Sequence, residues 1–247
     1  MTRVRMKHTL LWLLTLFLLG VPEAAVGVCS SPQPRLVRAE YWQSEAVVIA
    51  HLLKSQHINP KDDQDYRLYT FQVEKILRGS VPSHFVLWDE NSSGRLTFEV
   101  LRGRKYLLFV DRWAEKGWST ADGCGNSGEV SKTAKTFREI QRATALRDAL
   151  ITGAVEAATP VAHAKVLALR KNDGKQFETQ TRDDGTFALT VPSGEYSVKV
   201  TARGKNFVTH WLSYENAESV KLENGGCAQI QFVPSDSADA RSAPNRH

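Results

Sequence analysis

The sequence has little cysteine, no long apolar span and none of the local patterns that announce catalysis. Three cysteines in 247 residues are too few for a scaffold built on disulfides. The longest apolar run, Leu10 to Leu19, is about half the ~20 residues a membrane-spanning helix needs. No His-x-x-x-His or Cys-x-x-Cys spacing occurs, so a local zinc site has no support. His51, His57, His84, His163 and His210 are dispersed. Gly-x-Ser-x-Gly and phosphate-loop patterns are also missing, and with them the usual signs of an acyl-transfer or nucleotide site. Asp62, Asp63 and Asp65 cluster but lack the glycine of an EF-hand loop, and read as a solvated loop. Ser127 stands among turn residues, not beside a base. No catalytic residue, no metal and no cofactor is therefore expected.

An apolar share of 42% and a charged share of 24% suit a globular chain with a real core and exclude disorder as the main state. Arg3, Arg5 and Lys7 precede the apolar run, and Ala24, Ala25 and Gly27 follow it. That order is the pattern of a cleaved export signal, and it places cleavage after Gly27. Val28 ahead of Cys29 argues against a lipid-anchored cysteine. The expected compartment is periplasmic or extracellular, and no other stretch is apolar enough to anchor the mature chain. Export makes nucleic acid an improbable partner, despite a pI near 9.1.

The net charge of +5 is unevenly placed. Residues 28–130 hold 13 basic and 13 acidic residues, and residues 151–234 hold nine of each. The excess sits in the signal and in residues 131–150, where Lys132, Lys135, Arg138, Arg142 and Arg147 face two acids. Each β domain is neutral, with one basic segment between them.

Mature cysteines are Cys29, Cys124 and Cys227. In an oxidising compartment two should pair and one remain. Spacing alone does not say which. A Cys29–Cys124 bridge would tie the two ends of one domain together and contribute roughly 4 kcal/mol in the chain-entropy model. Cys227 is then a buried free thiol or half of an intermolecular disulfide.

Alternating and near-continuous apolar stretches predict a mainly β fold. Residues 35–45 have a short helical period at Leu36, Ala39 and Trp42. Ala46 to Leu53 reads as a strand buried on both faces, and 55–65 as a loop. Strands follow at 66–76, 85–88, 96–100, 105–110 and 118–121, a set that fits a small closed barrel. Residues 131–150 form an amphipathic helix on Phe137, Ile140, Ala143, Leu146 and Leu150, capped by Ser131 and closed by Gly153. Residues 151–234 are again β, with turns at Asn172-Asp173-Gly174, Asp183-Asp184-Gly185 and Pro192-Ser193-Gly194, a sandwich pattern. Residues 235–247 read as a disordered tail. Trp113, Trp118, Trp211 and Tyr214 fall in loop-like segments and are candidate binding aromatics.

Several pieces of residues 29–130 resemble the netrin-like domains of tissue inhibitors of metalloproteinases. They are Cys29, Val47-Val48-Ile49-Ala50, Tyr69-Thr70-Phe71-Gln72-Val73 leading to Lys75-Ile76-Leu77-Arg78-Gly79, Leu101 to Phe109, and Cys124-Gly125-Asn126. The resemblance implies an OB-like barrel. It also suggests a protease inhibitor acting through the N-terminal edge of that barrel. Here Ser30 and Ser31 follow Cys29, so the family's Cys-x-Cys element is absent, and Val28 would block chelation by the Cys29 amine. Thr181 to Phe187 and Val191 to Val198, with Gly153-Ala154-Val155, Pro160 and Ala164-Lys165-Val166, resemble the transthyretin-like or carboxypeptidase-regulatory sandwiches. That likeness also touches the collagen-adhesin B repeats and implies an Ig-like or prealbumin-like domain. The resulting expectation is an exported, non-catalytic binding protein whose partner is an unknown protein or envelope component.

Overall fold

The computed structural model describes residues 34–58, 66–90, 96, 100–113, 117–120, 124–210, 213 and 215–237. Its first unit is a short helix, α1 (Val37–Gln43), followed by β1 (Ala46–Ile58), β2 (Tyr66–Arg78), β3 (His84–Glu90), β4 (Lys105–Trp113), β5 (Gly117–Thr120) and β6 (Gly128–Glu129). Five of these strands run in the circuit β1-β2-β3-β5-β4, and β4 pairs back onto β1. All neighbours are antiparallel except β3 and β5. The result is a nearly closed, OB-like barrel, an arrangement that leaves few exposed strand edges.

Strand β1 makes closure possible. It pairs with β2 from Val47 to Ile58 and with β4 from Ala46 to His51, and its register with β2 shifts at three places. Such bulges bend a strand and increase its twist. Inside lie Ala46, Val48, Ala50, Leu52, Phe71, Phe85, Leu87, Tyr106, Leu108 and Trp118. Phe71 stacks on Phe85 at 5.6 Å and meets Tyr106 edge-on at 6.0 Å. Outside, Val47, Leu107 and Phe109 are covered by Val37 and Tyr41 of α1 and by Ile140 of the second helix. Residues 47–50 and 107–110 are continuous apolar runs because these two strands are buried on both faces.

A 3-10 turn (Val130–Lys132) leads into helix α2 (Ala134–Ala145). Phe137, Ile140 and Ala143 face the protein as their spacing predicts. The helix is shorter than expected. Thr133 occupies the N-cap instead of Ser131, and Leu146 is already extended. Gly153 does not close it: residues 149–155 form the next strand. The apolar period overshoots because Leu146, extended and exposed, and Leu150, already in that strand, keep the helical spacing.

The second unit comprises β7 (Ala149–Val155), β8 (Lys165–Arg170), β9 (Gln176–Gln180), β10 (Thr186–Val191), β11 (Gly194–Ala202), β12 (Lys205–Thr209), β13 (Val220–Leu222) and β14 (Cys227–Pro234). Their order is β10-β7-β14-β12-β11-β8-β9, with β13 on β11, and β14 runs parallel to β7. The sheet wraps around Phe187, Leu189, Val191, Tyr196, Val198, Val200, Ile230 and Phe232. Tyr196 donates its hydroxyl to the Pro192 carbonyl at 2.7 Å. At the β8–β9 turn Arg170 grips Asp173, whose carboxyl is held at about 2 by that bond and by the Lys175 amide.

Two other expectations are corrected. Residues 55–58 are strand, paired with Tyr66 to Tyr69, since β1 continues once it leaves the barrel wall. Leu96 and Val100 pack on the barrel core but are not in a strand; residues 97–99, like the 59–65 loop and the 238–247 tail, lie outside the described residues.

Candidate functional site at the barrel–sandwich junction

Helix α1 contacts both units. Its burial pattern is Val37, Ala39, Glu40 and Tyr41, not the Leu36, Ala39, Trp42 period. Leu36 is 38% exposed while Glu40 is 1% exposed. A carboxylate that deep must be satisfied on all sides. Arg35 Nη1 lies 3.4 Å from Glu40 Oε1. The Asn126 amide and side-chain Nδ2 both donate to Glu40 Oε2, at 2.7 and 2.6 Å. Gly125 permits this, because a Cβ there would sit 2.3 Å from Glu40 Oε1. The Cys124-Gly125-Asn126 turn thus folds over a buried charge, and Asn126 Nδ2 also donates to the Arg35 carbonyl at 3.2 Å.

The opposite side of α1 grips the sandwich. Arg38 donates to the carbonyls of Gly225, Asp148 and Gly226 at 2.9, 2.7 and 3.1 Å. Gly225 has φ of +73°, and an added Cβ would lie 2.6 Å from the Ala143 carbonyl. Gln229 accepts from the Leu36 amide at 2.9 Å and donates to the Pro34 carbonyl at 3.0 Å. Gln231 donates to Glu156 at 2.6 Å. Gln229 and Gln231 are 6% and 8% exposed. Along β14, Ala228, Ile230 and Phe232 fill the sandwich while Cys227 and Gln229 face the junction and Gln231 bonds within the sandwich unit. The polar half of that alternation looks like a solvent face, yet it is buried, and Gln229 holds the segment that leads into α1.

Beside this contact opens a cleft of about 510 Å³. Trp42 and Arg78 line it from the barrel; Glu195, Glu215, Lys221 and Cys227 line it from the sandwich. Arg78 lies over the Trp42 ring at 5.4 Å and donates to the Ser44 carbonyl. Trp42 also meets Tyr41 edge-on at 5.5 Å, and its Nε1 is buried without a hydrogen-bond partner among the described residues. Gln43 donates to Glu215 at 3.1 Å. Burial pushes the Glu215 carboxyl up, against the pull of Gln43 and Arg35. The Lys171 and Ser219 hydrogen bonds hold the Glu195 carboxyl below its ordinary value. A second groove, about 650 Å³, runs over β11 and β12 and is lined by the sandwich alone.

Of the candidate aromatics, Trp118 is 8% exposed and packs edge-on against Phe85 inside the barrel. It presents no binding face, because the short strand β5 turns it inward. Trp113 is the last residue of β4. Trp211 and Tyr214 lie outside the described residues, as does Cys29 with the N-terminal edge that an inhibitory role would need. Cys227 is a free, buried thiol pushed up to about 12 by burial, which makes it a poor nucleophile. Among the described residues no group of three or more His, Cys, Asp or Glu is placed to hold a metal ion. Sequence reading missed Arg38, Glu40, Arg78, Glu215 and Gln229. Their only signal is a charged residue at the centre of a short apolar helix and a glutamine pair in a strand.

The Glu215 shift has a measurable sign. A folded pKa above the ordinary 4.5 means that the folded chain holds the extra proton, so stability falls as pH rises from 4.5 through the folded value. Urea unfolding of wild type and Glu215→Gln at pH 4.5 and pH 7.5 should show the variant gaining relative to wild type at the higher pH. An identical pH slope in the two proteins contradicts the assignment.

Residues 151–233 match the carboxypeptidase regulatory-like domain. No match was found among curated proteins. Among solved structures, hydroxyquinol 1,2-dioxygenase from Pseudomonas putida DLL-E4 is 11% identical over 36% of this chain and 56% of its own, with a TM-score of 0.25. The Bacillus anthracis TIE protein is 11% identical over 77% of this chain and 31% of its own, with a TM-score of 0.27. The chain thus spans little more than half of the first and under a third of the second, and both scores are too low to assign a shared fold. The second unit is therefore similar to a family of non-catalytic domains found in extracellular and envelope proteins.

Proposed function

We propose that this protein is an exported, non-catalytic binding protein of the periplasm or cell exterior, which receives a protein or envelope partner at the barrel–sandwich junction. The carrying observation is the junction cleft, walled by Trp42 and Arg78 on one side and Glu215 and Lys221 on the other. Clefts between domains are preferred binding sites because two rigid surfaces supply an apolar wall and fixed polar groups. The netrin-like reading of the barrel belongs to this proposal. Its support is the five-strand circuit closed by β1 and β4, with one face covered by helices.

Export is supported by the pattern of residues 1–27 and by the company that carboxypeptidase regulatory-like domains keep. No helix of the described residues is long and apolar enough to cross a membrane. A Cys29–Cys124 bridge fits this compartment. Its support is the Asn126–Arg35 hydrogen bond of 3.2 Å, which brings the start of the barrel unit beside the Cys124 turn. The unfolded, unreduced chain should then offer one reactive thiol, Cys227, and three after reduction. Three reactive thiols before reduction contradict the bridge.

The function itself is tested by a photo-crosslinking residue at Glu223, an exposed position lining the cleft. A discrete adduct should form in the native compartment and weaken several-fold when Lys221→Glu reverses a charge at the rim. The same adduct from a crosslinker at Lys175, in the remote β8–β9 turn, would overturn the reading. So would indifference to Lys221→Glu.

A further inference from the structure

Helix α2 turns Ile140 and Ala143 into the protein and leaves the opposite face open. Lys135, Arg138 and Arg142 stand exposed on that face. Spacings of three and four place them in one stripe about 10 Å long. Lys132 precedes the stripe and Arg147 follows it, both exposed. Little acid is available to neutralise these charges. Glu129 is shared by Lys132 at 3.8 Å and Arg104 at 3.2 Å, and Glu139 faces Lys135 at 3.8 Å. Arg138, Arg142 and Arg147 have no carboxylate within ion-pair distance among the described residues. Arg138 and Arg142 are like charges four apart, a pairing that costs an isolated helix stability. Between Arg142 and Arg147 stands Leu146, 46% exposed.

We propose that this face of α2 docks on an anionic lipid surface, with Arg138, Arg142 and Arg147 against phosphate-bearing headgroups and Leu146 in the interface. Charge complementarity carries the argument. Both β units are neutral, so the positive field of the mature chain is concentrated on this one helix, where a negatively charged plane would orient the molecule. The stripe is linear, set by spacings of three and four along one helix face. Its long flexible cations suit mobile headgroups, and the one aromatic of the helix, Phe137, is packed against the protein and offers no stacking face for a base. An exposed aliphatic side chain flanked by arginines is what an interfacial helix presents to a bilayer.

The inference is independent of the junction cleft and is tested with the full chain. Its co-sedimentation is measured with vesicles of phosphatidylcholine alone and with vesicles enriched in phosphatidylglycerol. Binding should prefer the anionic vesicles and fall steeply with added salt. Each cation at the surface is worth about fivefold, so the exposed triple variant Arg138→Gln/Arg142→Gln/Arg147→Gln should lose on the order of a hundredfold with its melting temperature unchanged. Leu146→Ser should weaken binding at high and low salt alike. Equal binding to both vesicle types, a triple variant that binds as wild type does, or tighter binding to a DNA duplex than to anionic vesicles would each overturn the proposal.

Discussion

The buried carboxylate of Glu40 is the constraint on which the rest of the junction depends. A charge at 1% exposure is tolerated only where its partners are fixed, and removing one partner of such a pair typically costs about 3–5 kcal/mol. Arg35 and Asn126 are those partners, and they come from opposite ends of the barrel unit. Glu40 therefore fixes the orientation of α1 on the barrel. Once α1 is fixed, Arg38 on its other side can reach two carbonyls of the sandwich and that of Asp148 just ahead of it, Trp42 lines the cleft and Gln43 bonds Glu215.

The two cores and the junction are built on different physics. Each β unit buries its own apolar cluster with aromatic pairs inside it. The junction is almost wholly polar: arginine to carbonyl, glutamine to backbone, glutamine to carboxylate. Such contacts contribute modest net stability but are intolerant of misplacement, because a displaced partner leaves a buried group unsatisfied. The arrangement sets geometry more than it adds stability. It holds the two walls of the cleft in one register, and it leaves the outer face of α2, on the far side from its Ile140–Ala143 contact, open to solvent.

Much of the fold is legible in the residues, and the failures share a cause. Ala46 to Leu53 reads as a doubly buried strand because both faces of β1 are covered. Phe187, Leu189 and Val191 alternate as a half-buried strand should. Helix α2 is legible through Phe137, Ile140 and Ala143 but overshoots, since Leu146, already extended, and Leu150 of β7 fall by chance on the same period. The junction is nearly illegible. Gln229 and Gln231 alternate with apolar residues like any solvent face, and Glu40 looks like a surface charge. Gln229 is met by Leu36 and Pro34, 193 and 195 positions away, Gln231 by Glu156 and Glu40 by Asn126, and local pattern carries no trace of such partners. Trp118 shows the reverse error: its loop-like setting suggests exposure, while barrel closure turns it inward.

The central claim is that α1 makes barrel and sandwich one mechanical unit through polar contacts. Differential scanning calorimetry of the full chain, wild type against Arg38→Ala, tests it most directly. Wild type should unfold in a single cooperative transition. Loss of the Arg38 grip on the Gly225, Gly226 and Asp148 carbonyls should separate it into two transitions, one for each β unit. Two transitions already present in wild type, or one unshifted transition in Arg38→Ala, would contradict the account.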